Sequence, residues 1–200
     1  MTGGSDGSGF SLVVVGCSWG GPRALAAIVA ALPARSRAAL AVVQHRGPRS
    51  ADTALRHYLT RRSPIPVEEV MDKTPVEPGR VFLAPCDYHL LVGGASFSLS
   101  TDEPVNHSRP SIDVLFETAA DSYGPGLVAV VLTGANEDGA AGLLKVKESG
   151  GRTIVQDPDE AERRTMPEAA LATGAVDEVL TLASIADRLR SLMRSDDGDR

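Results

Sequence analysis

The chain has 200 residues, of which 42% are hydrophobic and 23% are charged, so it fits one globular domain with a buried core and excludes a disordered chain. Its net charge is −6 and its lysines and arginines form no stripe, so neither nucleic acid nor an anionic membrane is an expected partner. No stretch is long and apolar enough for a membrane span, and the first nine residues lack the features of a signal peptide. These observations favour a cytoplasmic protein without membrane insertion.

Short apolar runs alternate with longer amphipathic stretches along the chain, a pattern typical of α/β proteins. The first run, residues 12–15, ends in a glycine-rich turn, and Pro22 then lies in the first turn of a predicted helix. Further strands are predicted at residues 39–45, 65–70, 81–84, 127–132 and 153–155. Further helices are predicted at residues 51–59, 112–120, 140–148, 167–172 and 183–193.

A β-hairpin is predicted where residues 88–92 and 96–100 flank Gly93-Gly94-Ala95, so the sheet is not expected to be purely parallel. The most apolar run, 127–132, predicts a central parallel strand. The expected fold is a doubly wound, mostly parallel β-sheet flanked by helices, a Rossmann-like three-layer α/β arrangement with a β-hairpin addition. Residues 1–9 and 195–200 are expected to be disordered tails around one domain at residues 10–194.

The first turn has a serine between glycines, in the pattern Gly16-x-Ser18-x-Gly20. A serine at a tight strand-to-helix corner is exposed as a nucleophile, and the glycines allow strained backbone angles and close approach of a substrate. The helix N-terminus also offers backbone N–H groups for a developing oxyanion. Glycine-rich turns of this kind bind phosphates as well, so the turn alone leaves both interpretations open.

Three polar residues follow the ends of apolar runs: Ser18, His45 and Asp138. Ligands of open α/β sheets bind beyond the carboxyl ends of the strands, so parallel strands would bring these three loops to one edge. A serine hydroxyl becomes a useful nucleophile when a histidine takes its proton and a carboxylate holds that histidine. The sequence therefore predicts a Ser-His-Asp triad, in a chain order that differs from that of α/β-hydrolases.

Other interpretations of these residues stay open at this point. Asp138 precedes Gly139 and is suited to cap the helix that follows it, and His45 alone fits a strand-end histidine bonded to the backbone. His57 and His107 lie in polar surroundings and are expected to face solvent.

The two cysteines, Cys17 and Cys86, are too few for a disulfide framework and lie in apolar surroundings. They are expected to be reduced, buried, structural thiols. Cys17 as the nucleophile is the less favoured alternative.

Most of the chain, from Val13 to Leu189, contains six short sequence blocks that follow one another in a defined order. They are Gly16-Cys17-Ser18-Trp19-Gly20-Gly21-Pro22, Val43-Gln44-His45, Pro78 to Pro85 with His89, Arg109 to Phe116, Leu132-Thr133-Gly134 through Asp138-Gly139-Ala140, and Gln156-Asp157 with Met166-Pro167. Together they resemble the catalytic domain of the chemotaxis protein-glutamate methylesterases, CheB. The resemblance implies hydrolysis of glutamate methyl esters on chemoreceptor helices with release of methanol, and deamidation of particular receptor glutamines.

At the matching positions, the resemblance implies Ser18 as nucleophile, His45 as general base and Asp138 as the residue that orients it. The expected oxyanion hole is the backbone N–H of Trp19 together with one from the Gly134-Ala135 loop, assigned here to Ala135. No metal or cofactor is expected for this acyl transfer.

The chain departs from the family pattern at two places. Trp19 stands where the family usually has threonine, and Gly134-Ala135-Asn136 stands where it usually has Gly-Met-Gly. Trp19 is large enough to narrow or reshape the site, and Asn136 replaces a glycine.

Three further residues are candidates for substrate binding: Arg46, His89 and Arg109. The arginines are suited to an acidic receptor helix, with ordinary surface arginines as the alternative. The resemblance places His89 close to the active site, either in contact with substrate or in support of the structure.

Many relatives have a phosphorylatable receiver domain before the esterase, whereas about nine residues precede the first strand here. We therefore expect a stand-alone domain that does not respond to phosphodonors, with chemoreceptors as substrates and a separate response-regulator chain as a further partner. Two alternatives to an active esterase remain, an inactive or retuned CheB-like binding module and a nucleotide-binding α/β protein. The second is disfavoured because the first turn does not read Gly-x-Gly-x-x-Gly and the second strand ends in His45 rather than an acidic residue.

Overall fold

The computed structural model describes residues 11–47 and 52–194, in which strands and helices alternate except for four consecutive strands between residues 67 and 100. The strands are β1 (Leu12–Cys17), β2 (Ala39–Gln44), β3 (Val67–Glu69), β4 (Val81–Leu83), β5 (His89–Gly93), β6 (Ser96–Ser100), β7 (Leu127–Val131), β8 (Arg152–Gln156) and β9 (Glu178–Leu180). The helices are α1 (Gly21–Ala31), α2 (Asp52–Thr60), α3 (Ile112–Tyr123), α4 (Ala140–Glu148), α5 (Thr165–Ala172) and α6 (Leu182–Met193), and a 3₁₀ turn spans Gly124–Gly126. The predicted tails at 1–9 and 195–200 lie outside the described residues.

Seven strands form one parallel sheet in the order β3-β4-β2-β1-β7-β8-β9. The central strand β1 pairs with β2 and β7, so that Val15 lies opposite Val42 on one side and Val130 on the other. The doubly wound α/β fold is confirmed. The hairpin is also confirmed, but β5 and β6 form a separate antiparallel sheet, and the large sheet is parallel throughout.

The central strands are apolar along their whole length because both faces of the sheet are covered. Side chains that alternate along β1 enter two different cores: Val13 and Val15 face α1, α2 and α6, while Leu12 and Val14 face α3, α4, α5 and the hairpin. Every residue of β1, β2 and β7 is buried. This three-layer packing accounts for the continuous hydrophobic runs in the sequence.

From β1 the chain first adds β2, β4 and β3 on one side of the sheet and later adds β7, β8 and β9 on the other side. The order of the strands therefore reverses at β1, next to the carboxyl ends of β2, β1 and β7. Such a topological switch point opens a crevice between neighbouring loops. Ser18 follows β1, His45 follows β2, and Asp138 lies in the loop after β7. The expected convergence of these three loops at one edge is therefore present.

Helices α3 and α4 approach each other closely at Gly142. A Cβ atom on Gly142 would lie 2.6 Å from Phe116 Cβ and 3.0 Å from Asp113 Cα. Only glycine fits this contact without displacement of a neighbour. The close approach brings the N-termini of the two helices within reach of each other's acidic side chains.

Within the described residues, no helix has the length and apolar character needed to cross a membrane.

Candidate active site

His45 and Asp138 form the central polar pair of the sheet edge. His45 Nε2 lies 2.7 Å from Asp138 Oδ2; the aspartate is fully buried, and 11% of the histidine side chain is exposed. Because an ionised carboxylate only accepts hydrogen bonds, Nε2 of the neutral ring has the proton. The remaining nitrogen, Nδ1, then has a lone pair and is the atom available as a base.

Asp138 is held by the N-terminus of α3. Its Oδ2 accepts from the Ile112 N–H at 2.6 Å, and its Oδ1 accepts from the Ser111 hydroxyl at 2.8 Å and the Asp113 N–H at 3.2 Å. Burial alone would raise the pKa of Asp138, but the hydrogen bonds from His45, Ile112 and Ser111 outweigh it and hold the pKa below its ordinary value. The carboxylate is therefore ionised beside His45.

The suggestion that Asp138 caps the following helix is wrong, because the helix it caps is α3. The N-terminus of α4 is capped instead by Asp113 of α3, whose Oδ1 accepts from the backbone N–H groups of Gly139 at 2.9 Å and Gly142 at 2.7 Å. Each helix thus receives its cap from a carboxylate next to the start of the other. This reciprocal capping depends on the close approach of α3 and α4 at Gly142, so it cannot be predicted from residues that are adjacent in the sequence.

Asn106 lies between the two buried carboxylates. Its amide Nδ2 donates to Asp113 Oδ2 at 2.8 Å and lies 3.5 Å from Asp138 Oδ1, and its backbone has a φ of 49°. Burial raises the pKa of Asp113 to about 6; bonds from Gly142 and Gly139 oppose this, and the nearby Asp138 charge adds to it. As the pH rises, Asp138 therefore ionises before Asp113.

The raised pKa of Asp113 gives a testable dependence of stability on pH. Because the folded state binds this proton more tightly than the unfolded chain does, the contribution is fully present below about pH 4 and is lost as pH rises through about 6. In Asp113→Asn this decline should be absent. We expect the wild-type unfolding free energy, relative to that of the variant, to fall by on the order of 1–3 kcal/mol between pH 4 and pH 7 in urea titrations. A difference that stays constant across this range would contradict the prediction.

Ser18 is placed by a tight turn after β1. Its N–H donates to Thr133 O at 3.0 Å, its carbonyl accepts from Gly21 N at 2.9 Å, and Gly20 has a φ of 81°, which favours glycine. Across residues 11–47 and 52–194, Ser18 Oγ has no hydrogen-bond partner. Within the described part of the chain, the hydroxyl is therefore available to react.

An open cleft of about 440 Å³ contains both Ser18 and His45. Asn136 faces it as well, with Nδ2 at 3.4 Å from His45 Nδ1 and 3.4 Å from Ser108 Oγ. The other residues of the cleft wall are Arg46, Gly47, Asp87, Pro104, His107, Arg109 and Pro110. The cleft is thus polar, open to solvent, and bordered by the basic nitrogen of His45.

Both predicted arginines line this cleft, and both also support its walls. Arg46 Nη2 donates to Ala84 O at 2.9 Å. Arg109 donates to Asp87 Oδ1 at 2.7 and 3.0 Å and to the carbonyls of Thr101 and Asp102. Arg109 thereby ties the loop before α3 to the β4–β5 loop, while Arg46 joins the segments that follow β2 and β4.

His89 does not line the cleft and is 2% exposed, so its placement does not fit substrate binding. Nδ1 accepts from the Ser111 N–H at 3.2 Å, which leaves Nε2 as the donor to Glu103 O at 3.1 Å. Both ring nitrogens are thus engaged by the backbone. His89 supports the segment that leads into α3, which is the structural alternative considered for it.

The side chain of Trp19 does not line the cleft of Ser18 and His45. Its Nε1 donates to Glu162 Oε1 at 2.9 Å, and the guanidinium of Arg163 lies 5.2 Å from the ring centroid. Trp19 is 58% exposed and lies beside the β8–α5 loop. The indole is thus held by Glu162 and Arg163, outside the cleft of Ser18 and His45.

Three cleft residues were given no functional role on the basis of the sequence: His107, Ser108 and Asn136. The same is true of Asn106, which borders a neighbouring cavity. His107 is exposed as expected, yet it borders the cleft and has a φ of 60°. The only available signal was their position next to Arg109 and Asp138, and nothing in the residue types indicates which way their side chains point.

Both cysteines are buried and neither forms a disulfide, as expected. Burial raises the pKa of the Cys17 thiol far above its ordinary value, and its side chain has no exposed surface. Cys17 is therefore unsuited to act as a nucleophile. The described residues contain no group of histidine, cysteine and acidic side chains arranged to hold a metal ion.

The sheet is parallel, and a serine, a histidine and a buried aspartate lie on neighbouring loops at its switch point. This arrangement is typical of α/β hydrolytic enzymes. Residues 13–189 match the family model described as CheB methylesterase. The chain belongs to the CheB methylesterase family, and this decides against the nucleotide-binding alternative.

Individual relatives agree with this assignment. A curated relative from Leptospira interrogans (serovar copenhageni, strain Fiocruz L1-130) is 45% identical over 179 residues, covering 89% of this chain and 92% of that protein. The protein-glutamate methylesterase/protein-glutamine glutaminase of Bordetella parapertussis is 41% identical over 194 residues, which are 94% of this chain and 54% of that protein. The crystal structure of the Thermotoga maritima CheB methylesterase catalytic domain superimposes with a TM-score of 0.88 at 35% identity, covering 91% of this chain and 98% of that one.

Proposed function

We propose that this protein hydrolyses glutamate γ-methyl esters on the cytoplasmic helices of chemoreceptors, with Ser18, His45 and Asp138 as its catalytic triad. The observation that supports this most directly is the position of His45. One ring nitrogen is fixed by a buried, ionised aspartate, and the other faces a cleft that also contains an uncommitted serine. The names of the relatives supply the substrate class, and the proposal places the protein in the cytoplasm.

The reaction begins when Ser18 Oγ attacks the ester carbonyl carbon and its proton passes to His45 Nδ1. The tetrahedral intermediate collapses as the Nδ1 proton moves to the methoxy oxygen, and methanol leaves. A water molecule then attacks the acyl-enzyme while Nδ1 takes one of its protons, which returns to Ser18 Oγ as the glutamate leaves as a carboxylic acid. The acid then releases its proton to solvent and becomes the carboxylate. Asp138 keeps Nε2 protonated and stabilises the imidazolium in both halves of the reaction.

The backbone N–H groups of Trp19 and Ala135 are proposed as the oxyanion hole. Among residues 11–47 and 52–194, neither group has a hydrogen-bond acceptor, and both residues are exposed at the sheet edge. Because the donors belong to the backbone, the departures from the family pattern at these two positions leave them intact. Donors held in advance at such a position supply a large part of the rate enhancement in acyl transfer.

Deamidation of receptor glutamines is a second activity that the same groups support. Nδ1 would then protonate a departing nitrogen, ammonia would replace methanol, and the acyl-enzyme would be the same. The name of the Bordetella parapertussis relative includes protein-glutamine glutaminase, which favours this activity. Arg46 and Arg109 are proposed to border the receptor at the cleft wall, with a separate response-regulator chain as a further partner.

The test is methanol release from a methylated chemoreceptor cytoplasmic fragment, followed by gas chromatography, with the unmethylated fragment as the blank. We expect turnover that is proportional to enzyme concentration and needs no added metal or cofactor. Ammonia release from a fragment with glutamine at the same positions measures the second activity separately. Absence of methanol release from several receptors would favour the alternative that the cleft belongs to an inactive or retuned binding module.

A further inference from the structure

Gln44, the last residue of β2, has a buried side-chain amide that joins the turns of Ser18 and His45. Its Nε2 donates to Ser18 O at 2.8 Å and to His45 O at 2.9 Å, and the residue is only 5% exposed. The two hydrogens of this planar amide are therefore both donated to backbone carbonyls, one of Ser18 and one of His45. In the proposed mechanism a proton moves between these same two residues.

The opposite end of this amide is also fixed. Cys17 Sγ donates to Gln44 Oε1 at 3.1 Å, and burial keeps that thiol protonated by raising its pKa. Gly21 provides the space, because a Cβ atom there would lie 1.9 Å from Gln44 Oε1. The amide thus has a defined orientation, with its oxygen directed at Cys17 and its nitrogen at the two carbonyls.

Backbone contacts alone leave the two turns less tightly linked. The His45 N–H donates to Cys17 O at 3.0 Å, which extends the β1–β2 ladder by one residue. Beyond that bond, the Ser18 and His45 carbonyls share Gln44 Nε2 as their common donor. Small changes in the separation of a nucleophile and its base have large effects on rate.

We propose that Gln44 is a positioning residue that sets the separation between Ser18 and His45. The proposal rests on the proposed function, since it assumes that Ser18 is activated by His45. Gln44 contacts neither substrate nor the reacting atoms, so its effect is on the rate of attack by Ser18 and not on receptor binding.

The experiment measures the second-order rate at which a fluorophosphonate labels Ser18, because this rate reports serine nucleophilicity without any receptor. Gln44→Leu removes both donors. Thr153→Val is the matched control, since Thr153 is fully buried and its hydroxyl donates to Ala175 O at 2.7 Å, at the opposite end of the sheet. Both variants lose buried hydrogen bonds, and thermal unfolding establishes that each is folded at the assay temperature.

We expect Gln44→Leu to be labelled about 10- to 100-fold more slowly than wild type, with Thr153→Val within about twofold of it. With methylated receptor as substrate, kcat should fall by a similar factor while KM changes little. If Gln44→Leu does not fold, Cys17→Val tests the same point, because it releases only the oxygen end of the amide and should slow labelling by several-fold.

Two outcomes would overturn the proposal in distinguishable ways. Labelling of a folded Gln44→Leu or Cys17→Val variant at the wild-type rate would mean that the amide only satisfies buried carbonyls. Wild-type protein that is not labelled at Ser18, as judged by mass spectrometry against Ser18→Ala, would overturn the nucleophile assignment and with it the role of Gln44.

Discussion

Ser18→Ala is expected to lower kcat for methanol release by about 10⁶-fold, the effect typical of removing the nucleophile of a serine hydrolase. Without Oγ no acyl-enzyme forms, and His45 has no hydroxyl to deprotonate. A residual rate of about 10³- to 10⁴-fold above the uncatalysed reaction is expected, because the cleft and the oxyanion donors still hold the ester. The substitution removes one half-buried hydroxyl that has no partner in the described residues, so folding should be unaffected.

Ser98→Ala is the matched control for this prediction. Ser98 lies on β6 of the hairpin, and its hydroxyl contacts Lys73 outside the cleft. We expect Ser98→Ala to turn over at the wild-type rate in the same methanol assay. Substantial activity of Ser18→Ala would require a different nucleophile and would contradict the proposed mechanism.

His45→Ala is expected to cause a loss of similar size, about 10⁶-fold in kcat, because both proton transfers depend on Nδ1. The substitution also leaves Asp138 buried with one fewer donor, which should cost about 1–3 kcal/mol of unfolding free energy. The loss of activity is thus accompanied by a measurable loss of stability, unlike that of Ser18→Ala.

Two comparisons separate the chemical role of His45 from its structural one. The double variant Ser18→Ala/His45→Ala should be no slower than either single variant, since the two residues act as a unit. Added imidazole should restore part of the activity of His45→Ala and none of that of Ser18→Ala. His57→Ala, which changes an exposed histidine on α2 outside the cleft, should behave as wild type.

Elements that are continuously apolar could be predicted from the sequence, and those set by long-range packing could not. Strand β7 is a run of five buried residues and was predicted. Strand β9 was missed, because Glu178–Leu180 is three residues long, partly exposed and lies at the edge of the sheet, where no hydrophobic pattern marks it. The strand order likewise depends on pairings between distant segments, such as β1 with β7.

The same distinction applies to the candidate site. Ser18, His45 and Asp138 could be proposed because each follows the end of an apolar run. The helix that Asp138 caps could not be identified, since that contact exists only when α3 and α4 meet at Gly142. The contacts of His89 with the segment before α3 and of Trp19 with Glu162 depend on the directions of their side chains, which the residue types do not specify.

The reciprocal caps of α3 and α4 have a consequence for the dynamics of this protein. The bonds that hold Asp138 beside His45 come from the start of α3, and the start of α4 is in turn bonded to Asp113. Fraying of the start of α3 removes bonds that hold the Asp138 carboxylate, so we expect local unfolding there to disturb the His45–Asp138 pair. We expect the backbone amides of these two helix starts to exchange their protons as one group, since all of them donate to Asp138 or Asp113: Ile112, Asp113, Gly139 and Gly142.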